Sequence, residues 1–322
     1  MKFIKSLLFF LLAASLSLTY YSCDDSGLVT TKNDVNSTFS FLKTLNQSTE
    51  GIYEAWVSFD SGDHNDAAYV SIGRFNISSS GSIVDTTGNP ITLKFNNKPA
   101  NINLASDAII TIELPGDYDT IPNGIKLMGG EKQVFENELV FDVSMTSNDI
   151  LGSIAEQLAI DTARFHYATP TSLDTTDELK GIWLMNPYMG YPGLSCLPIA
   201  DTSDWIYEAF LALLADENTY WSLGKFSDPS KADLDGAGPY QGTDGTGWQR
   251  PGQDYVNGSP LPAPNLNSGI YKVVICLVPK SGSLSPYFIK LFQKNLPQMT
   301  HHVMSTMDNI VKLPFGQIKV TK

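Results

Sequence analysis

Acidic side chains inside apolar, strand-like segments are the first residues in this chain that could do chemistry. Glu54 stands in IYEAWVSF, and Glu208 stands in the closely similar WIYEAFLAL. A second shared motif supplies a base to each acid, Arg74 in SIGRF and Lys225 in SLGKF. A buried carboxylate can act as a general acid or base, but opposite charges on neighbouring strands also stabilise a sheet. Because a buried carboxylate needs a partner and both motifs occur twice, we predict two structural pairs, Glu54 with Arg74 and Glu208 with Lys225.

A further group of acids lies in the long, turn-rich segment 226–269. The run DLDGAG places Asp233 and Asp235 at alternating positions ahead of a glycine, the pattern of a calcium-binding loop. The glutamate that closes an EF-hand loop is missing, and Asp-Gly is also common turn chemistry. Calcium ligation by Asp233 and Asp235 is therefore one hypothesis, and an ordinary turn is the other.

The same segment carries aromatic and basic side chains among its glycines and prolines. Exposed aromatic side chains suit stacking on a sugar or contact with a protein. The alternative is that they fold back over the edge of the sheets as a lid on the core. The candidate ligand-binding residues are Tyr240, Trp248, Arg250 and Tyr255.

Other motifs of catalysis and cofactor binding are missing from the sequence. Of the four histidines, only His301 and His302 are adjacent, and neighbouring residues of a regular element point to different faces. There is neither a Gly-x-Ser-x-Gly elbow nor a glycine-rich phosphate loop. We therefore predict no cofactor and no catalytic residues.

The N-terminus and the three cysteines indicate export. Residues 1–22 begin with positive charge and continue into LLFFLLAASLSL, which is too short to span a bilayer and typical of a signal peptide. The sequence TYYSC resembles a bacterial lipobox, so we predict that Cys23 carries lipid and that 23–36 is a tether; an ordinary signal peptide is the alternative. In an oxidising compartment Cys196 and Cys276 could form a disulfide, although both stand in apolar segments where buried thiols are equally expected.

Composition limits the range of partners. The 322 residues are 42% hydrophobic and 17% charged, which is enough apolar material for a folded core. The net charge of −13, without a basic stripe, disfavours binding to nucleic acid.

The shared motifs extend over most of the chain and predict two copies of one domain. ELPGDYDTIPNGIKL (Glu113–Leu127) corresponds to LVPKSGSLSPYFIKL (Leu277–Leu291), with the same spacing between the two prolines. Short segments rich in β-branched and aromatic residues, separated by turns, favour an all-β fold of two tandem β-sandwich-like domains. The predicted domains are 37–172 and 180–322, joined by a linker at 173–179.

One or two short helices are expected beside the strands. Ser147 or Asn148 is placed to cap a helix in SNDILGSIAEQLA, and PQMTHHVMSTM (Pro297–Met307) is its expected counterpart.

The ordered motifs YEAW, SIGRF, TIELPGDYDTIPNGIKLMGG and GIWLMNP resemble the extracytoplasmic domain of anti-sigma-K factors. The similarity is greatest to secreted, lipoprotein-like proteins that carry this domain twice, and it covers roughly 37–322. The resemblance implies a β-rich domain without catalytic activity. A sigma-binding domain and a transmembrane helix are not found in the sequence, so direct anti-sigma activity is not expected.

These features lead to a functional hypothesis with two alternatives. The chain is expected to be a non-catalytic envelope lipoprotein, held on a membrane by its lipid and facing the periplasm or the cell surface. It would bind an envelope protein or a glycan through the long segment. The alternatives are a secreted, carboxylate-dependent polysaccharide hydrolase, using acids such as Asp233 and Asp235 near Trp248, and a structural spacer.

Overall fold

In the computed structural model, the described residues form eighteen β-strands, one short α-helix and three 3-10 turns. The structure describes residues 34–59, 69–122, 124–147, 150–152, 154–158, 163–194, 197–200, 204–280 and 289–322, except for the side chain of Glu156. The predicted signal peptide 1–22, Cys23 and Cys196 lie outside the described residues. The disulfide and the lipid attachment therefore stay predictions.

All strand pairs are antiparallel, and the predicted all-β, sandwich-like fold class is confirmed. The helix, α1, is Ile154–Leu158. The strands are β1 (Asp34–Ser40), β2 (Ile52–Ser58), β3 (Tyr69–Ile77), β4 (Ile83–Val84), β5 (Leu93–Lys94), β6 (Asp107–Glu113), β7 (Ile125–Val134), β8 (Glu138–Ser144), β9 (Arg164–Tyr167), β10 (Gly181–Trp183), β11 (Trp205–Leu213), β12 (Tyr220–Phe226), β13 (Gly252–Asp254), β14 (Tyr271–Pro279), β15 (Ile289–Asn295), β16 (Ser305–Thr306), β17 (Asp308–Asn309) and β18 (Phe315–Thr321).

Three sheets hold these strands. The largest has nine strands in the order β4-β3-β2-β6-β7-β8-β18-β1-β5. The other two have the orders β12-β11-β14-β15-β17 and β13-β10-β9-β16. Only Met307 separates β16 from β17, so these two short strands are consecutive pieces of one interrupted strand that connects the two smaller sheets.

The two halves of the chain have the same strand order. Reading across the first half gives β3-β2-β6-β7-β8-β18-β1-β5, and reading across the second gives β12-β11-β14-β15-β17/β16-β9-β10-β13. Each row contains one strand from the other half of the sequence. In the first row, β18 of the second half lies between β8 and β1. In the second row, β9 of the first half lies between β16 and β10. The halves therefore exchange their last strands, and each row of strands is complete only with a strand from both predicted domains.

The core lies on one face of these sheets and draws on both halves. Successive strand residues point to opposite faces, so Tyr53, Ala55 and Val57 enter the main core while Trp56 packs in a smaller cluster on the other face. Because both faces of β2 are covered, its sequence shows a nearly continuous apolar run. Tyr207 of the second half belongs to the same main cluster as Tyr53.

Of the one or two short helices expected, the one in SNDILGSIAEQLA is present as α1, but it begins at Ile154 and not directly after Ser147 or Asn148. The segment 297–307 instead contains a turn at His301 and His302 followed by β16, so the expected helix there was wrong. The physical reason is local: His302 has a left-handed φ of 59°, which a helix cannot accommodate.

Candidate functional site

The two predicted acid–base pairs lie at matching places in the two halves. Arg74 Nε donates to Glu54 Oε2 over 2.6 Å, and Lys225 Nζ lies 3.8 Å from Glu208 Oε2. Each pair stands beside a register shift between its two strands. Sequence reasoning placed these four residues together, and the structure does bring them together.

A serine that sequence reasoning missed completes each pair. Ser71 Oγ donates to Glu54 Oε1 at 2.5 Å, and Ser222 Oγ donates to Glu208 Oε1 at 2.7 Å. The same serine oxygen accepts the backbone N–H of the glycine two residues later, which has a φ of 129° in Gly73. The Ser-x-Gly pattern that SIGRF and SLGKF share could have predicted the role of these two serines.

In the first half Arg74 also fixes a loop. Its Nη1 donates to the carbonyl oxygen of Asp117 at 2.5 Å and its Nη2 to that of Asp119 at 3.4 Å. The guanidinium thus donates to one carboxylate and two carbonyl oxygens, and these hydrogen bonds hold the loop against the strand.

A third buried acid, Glu113, belongs to the first half alone. It is 1% exposed and bonds to Thr111 Oγ1, which also accepts from Trp56 Nε1 at 2.9 Å. Burial, opposed by the Thr111 hydrogen bond, raises the pKa of Glu113 to about 7. The strand register gives Val278 as its counterpart in the second half, one residue after the Leu277 that the motif alignment predicted, and neither residue is acidic, so this acid is not part of the repeated motif.

Asp233 and Asp235 lie close enough to interact, but they do not form an open loop because Asp233 is buried. Asp233 is 7% exposed, accepts the Gly252 N–H at 3.0 Å and packs so closely on Gly224 that a Cβ there would lie 2.4 Å from its carboxyl group. Asp235 is exposed. Burial, with the neighbouring Asp235 adding to it, raises the pKa of Asp233 well above its ordinary value. Calcium ligation by Asp233 and Asp235 stays a prediction.

The long segment 226–269 folds back onto the second half. Its anchor is Asp254, which is fully buried and accepts hydrogen bonds from Trp183 Nε1 at 2.8 Å, from Thr171 N at 3.0 Å and from Thr171 Oγ1 at 2.6 Å. Thr171 Oγ1 in turn accepts the Gly242 N–H at 2.7 Å. Burial raises the pKa of Asp254 to about 6 despite these donors.

The four predicted binding residues are mostly part of this packing. Tyr255 is 1% exposed and Tyr240 stacks on it with ring centroids 5.8 Å apart, so Tyr255 does not form an exposed platform. Trp248 is half-buried between Trp183 and the His166 ring, at 5.4 and 5.3 Å. The lid alternative therefore describes Tyr240, Trp248 and Tyr255 better than the exposed-loop hypothesis does.

Arg250 leads to an exposed aromatic turn that sequence reasoning missed. Its Nη2 donates to the carbonyl oxygen of Gly190 at 3.0 Å. On either side of this glycine, Tyr188, Met189 and Tyr191 are 74%, 66% and 61% exposed. We call residues 188–191, with Arg250, the aromatic turn.

The aromatic turn is held by its own backbone. Asn186 N donates to the Tyr191 carbonyl at 2.8 Å, and Gly190 N donates to the Asn186 carbonyl at 3.0 Å. The Asn186 side chain accepts the Tyr188 N–H at 3.0 Å. Large apolar side chains are thus presented to solvent on an ordered turn, which is typical of a recognition surface. The sequence NPYMGYPG predicts a turn, but it does not predict that the side chains of this turn are exposed.

Searches of protein-family models, curated proteins and solved structures find no match to this chain. Among the described residues, the structure has no helix with the length and apolar character needed to cross a membrane.

Proposed function

We propose that this protein is a non-catalytic, lipid-anchored module of a bacterial cell envelope that binds another envelope protein through the aromatic turn. The observation that carries the proposal is the exposure of Tyr188, Met189 and Tyr191 on a turn braced by Arg250. Tyrosine, methionine and arginine are enriched at protein interfaces, and an ordered turn loses little entropy on binding. The membrane anchor rests on the lipobox-like sequence before Cys23.

The use of the acidic residues supports a non-catalytic role. Glu54 and Glu208 are paired with bases, and Asp254 is saturated by donors. A glycosidase needs two carboxyl groups facing each other across a cleft. Of two surface clefts, of about 720 and 560 Å³, the first has no carboxylate among its lining residues and the second has only Asp85.

The origin of the chain is part of the same proposal. The matching strand order and the matching Glu–Ser–base motifs support two copies of one domain that resembles the anti-sigma-K extracytoplasmic domain. An exchanged last strand is compatible with this origin, because a segment can leave its own copy for the equivalent place in the other at little cost.

The test is partner capture from envelope extracts with two matched double variants. Tyr188→Ser with Tyr191→Ser removes the rings of the aromatic turn. Tyr118→Ser with Leu173→Ser removes two side chains that are 85% and 82% exposed elsewhere. We expect a specific protein to be captured by the wild type and the control and lost, by at least tenfold, from the turn variant.

Two results would overturn this function. Equal capture by both variants would remove the aromatic turn from binding. Retention on an immobilised envelope polysaccharide that depends on the two turn tyrosines, without any captured protein, would make the ligand a glycan, since exposed rings also stack on sugars.

A further inference from the structure

A cluster of potential metal ligands lies apart from the aromatic turn, where the two halves of the chain meet in sequence and in space. Glu178, His301 and His302 each offer one ligand atom, and the three atoms lie within 4.8 Å of one another. Glu178 comes from the predicted linker between the halves, and the histidines come from the turn before β16.

The backbone at His302 creates this cluster. Adjacent side chains normally diverge, but the left-handed φ of 59° at His302 turns its ring towards His301, and the ring centroids lie 4.9 Å apart. The Nδ1 atoms are 3.4 Å apart. Two imidazole nitrogens on one tetrahedral ion, each at about 2.0–2.1 Å from it, would be separated by about 3.3–3.4 Å.

Both sides of the cluster are anchored. His302 N donates to the Tyr167 carbonyl of β9 at 2.8 Å, which fixes the turn to the exchanged strand. Glu178 Oε2 lies 3.6 Å from His302 Nε2 and 3.4 Å from the Thr169 nitrogen. Because Nε2 faces away from the Nδ1 atom that lies near His301, the Glu178 carboxylate or the His302 ring must rotate for all three residues to share one ion. The histidines themselves are exposed, so their rings can adjust by the small amount that closing on an ion requires.

His166, the neighbour of Tyr167 on β9, is the second and independent observation. It is fully buried, and its Nδ1 lies 3.1 Å from the Met185 carbonyl oxygen. Because a carbonyl only accepts, Nδ1 carries the proton and Nε2 is left with a lone pair, which has no hydrogen-bond partner among the described residues. The His166 and His302 ring centroids are 5.9 Å apart. A histidine whose second nitrogen donates to a carbonyl is arranged as metal-ligating histidines are.

We propose that Glu178, His301 and His302 bind one divalent transition-metal ion of the zinc class, with His166, whose ring lies beside that of His302 but outside the three-atom cluster, as the candidate fourth ligand. Imidazole nitrogens with one carboxylate suit Zn²⁺ and its borderline neighbours rather than Ca²⁺ or Mg²⁺. The bound ion would join the linker, β9 and the segment before β16, and it would hold the exchanged strand in place.

The experiment is calorimetric titration of the purified, metal-stripped protein with Zn²⁺, and with Ca²⁺ as the comparison ion. We expect one Zn²⁺ per chain and no Ca²⁺ binding. Glu178→Gln, His301→Ala and His302→Ala should each weaken binding by about tenfold or more, because loss of even a residue that only hydrogen-bonds to a metal ligand costs about 10–100-fold. Glu136→Gln removes the charge of an exposed glutamate outside the cluster and should leave the affinity unchanged. A hundredfold excess of Zn²⁺ over Kd should raise the wild-type Tm by about 5 °C.

Three outcomes would contradict the proposal. Absence of stoichiometric Zn²⁺ binding would remove the site. Binding that survives Glu178→Gln unchanged would reduce it to an adventitious histidine pair. If His166→Gln had a native Tm in the absence of metal and bound Zn²⁺ with unchanged affinity, His166 would not be a ligand of the ion.

Discussion

The exchange of last strands predicts that a cavity in the C-terminal strand loosens the first half of the chain. Ile318 of β18 is fully buried in the main core, and its strand is paired with β8 over seven residues and with β1 over six. Ile318→Ala removes buried methyl and methylene groups, which costs about 2–5 kcal/mol in well-packed cores. A loss of about 3 kcal/mol raises the population of the open state by about a hundredfold.

Native-state hydrogen exchange read by mass spectrometry is the assay. Because opening of β18 exposes its two neighbours, peptides covering 34–40 and 138–144 should exchange up to about a hundredfold faster in Ile318→Ala. Ile275→Ala is the matched control, since β14 pairs only with strands of the second half and Ile275 is also fully buried. The control should accelerate exchange in β11 and β15 before it affects β1.

The reasoning would be refuted if Ile318→Ala accelerated exchange only in peptides from 180–322. That result would mean that the second half contains its own last strand in solution and that the exchange does not occur.

Three further predictions follow from the buried polar groups. Glu54→Gln should lower the free energy of unfolding by about 1–2 kcal/mol, and Glu208→Gln should lower it by less than about 0.5 kcal/mol. The reason is that the charge-assisted bond is 2.6 Å long in the first pair, whereas the ion pair is 3.8 Å long in the second. Urea denaturation measures both losses, and equal losses would contradict the prediction. Asp254→Ala leaves the Trp183 and Thr171 donors without their carboxylate, so it should lower the free energy of unfolding by about 2–4 kcal/mol. It should also make the 226–269 segment sensitive to limited proteolysis. A segment as resistant as in the wild type would show that Asp254 is not its anchor. Burial raises the pKa of Glu113 to about 7 and that of Asp233 above its ordinary value, so the folded state binds more protons than the unfolded state. The stability that these protons contribute is fully present below about pH 4 and is lost as the pH rises through the folded-state pKa values, so the Tm should fall between about pH 5 and 8, and a flat or rising Tm across that window would be the contrary result.

Local patterns predicted the local structure well. The continuous apolar runs became the central strands β6 and β14, and the repeated acid and base became cross-strand pairs because both periodicity and charge are written within a few residues. The prediction of a second helix was wrong for a local reason too. The apolar periodicity of Pro297–Met307 is weak, and the left-handed backbone at His302 interrupts it.

The strand exchange could not be predicted in the same way. β9 and β18 are short segments whose pattern does not specify their neighbours, and the observed arrangement depends on pairing between residues as distant as Val35 and Val320. Such long-range pairing is set by how the whole sheet closes and leaves no trace in a short window of sequence.

Burial of polar and aromatic residues was the other limit. Tyr255 reads as a loop aromatic, but the Asp254 next to it finds its donors in Thr171 and Trp183, far away in the sequence. Conversely, nothing in the sequence singles out Tyr188 and Tyr191, and only the structure shows that nothing in the described chain covers them.

Site-specific photo-crosslinking in the intact envelope tests the binding proposal most directly. A photoreactive phenylalanine analogue would replace Tyr188 in one protein and Tyr118 in another, because both side chains are highly exposed. We expect a discrete protein adduct from position 188 that position 118 does not give. No adduct from position 188, or the same adducts from both positions, would contradict binding through the aromatic turn.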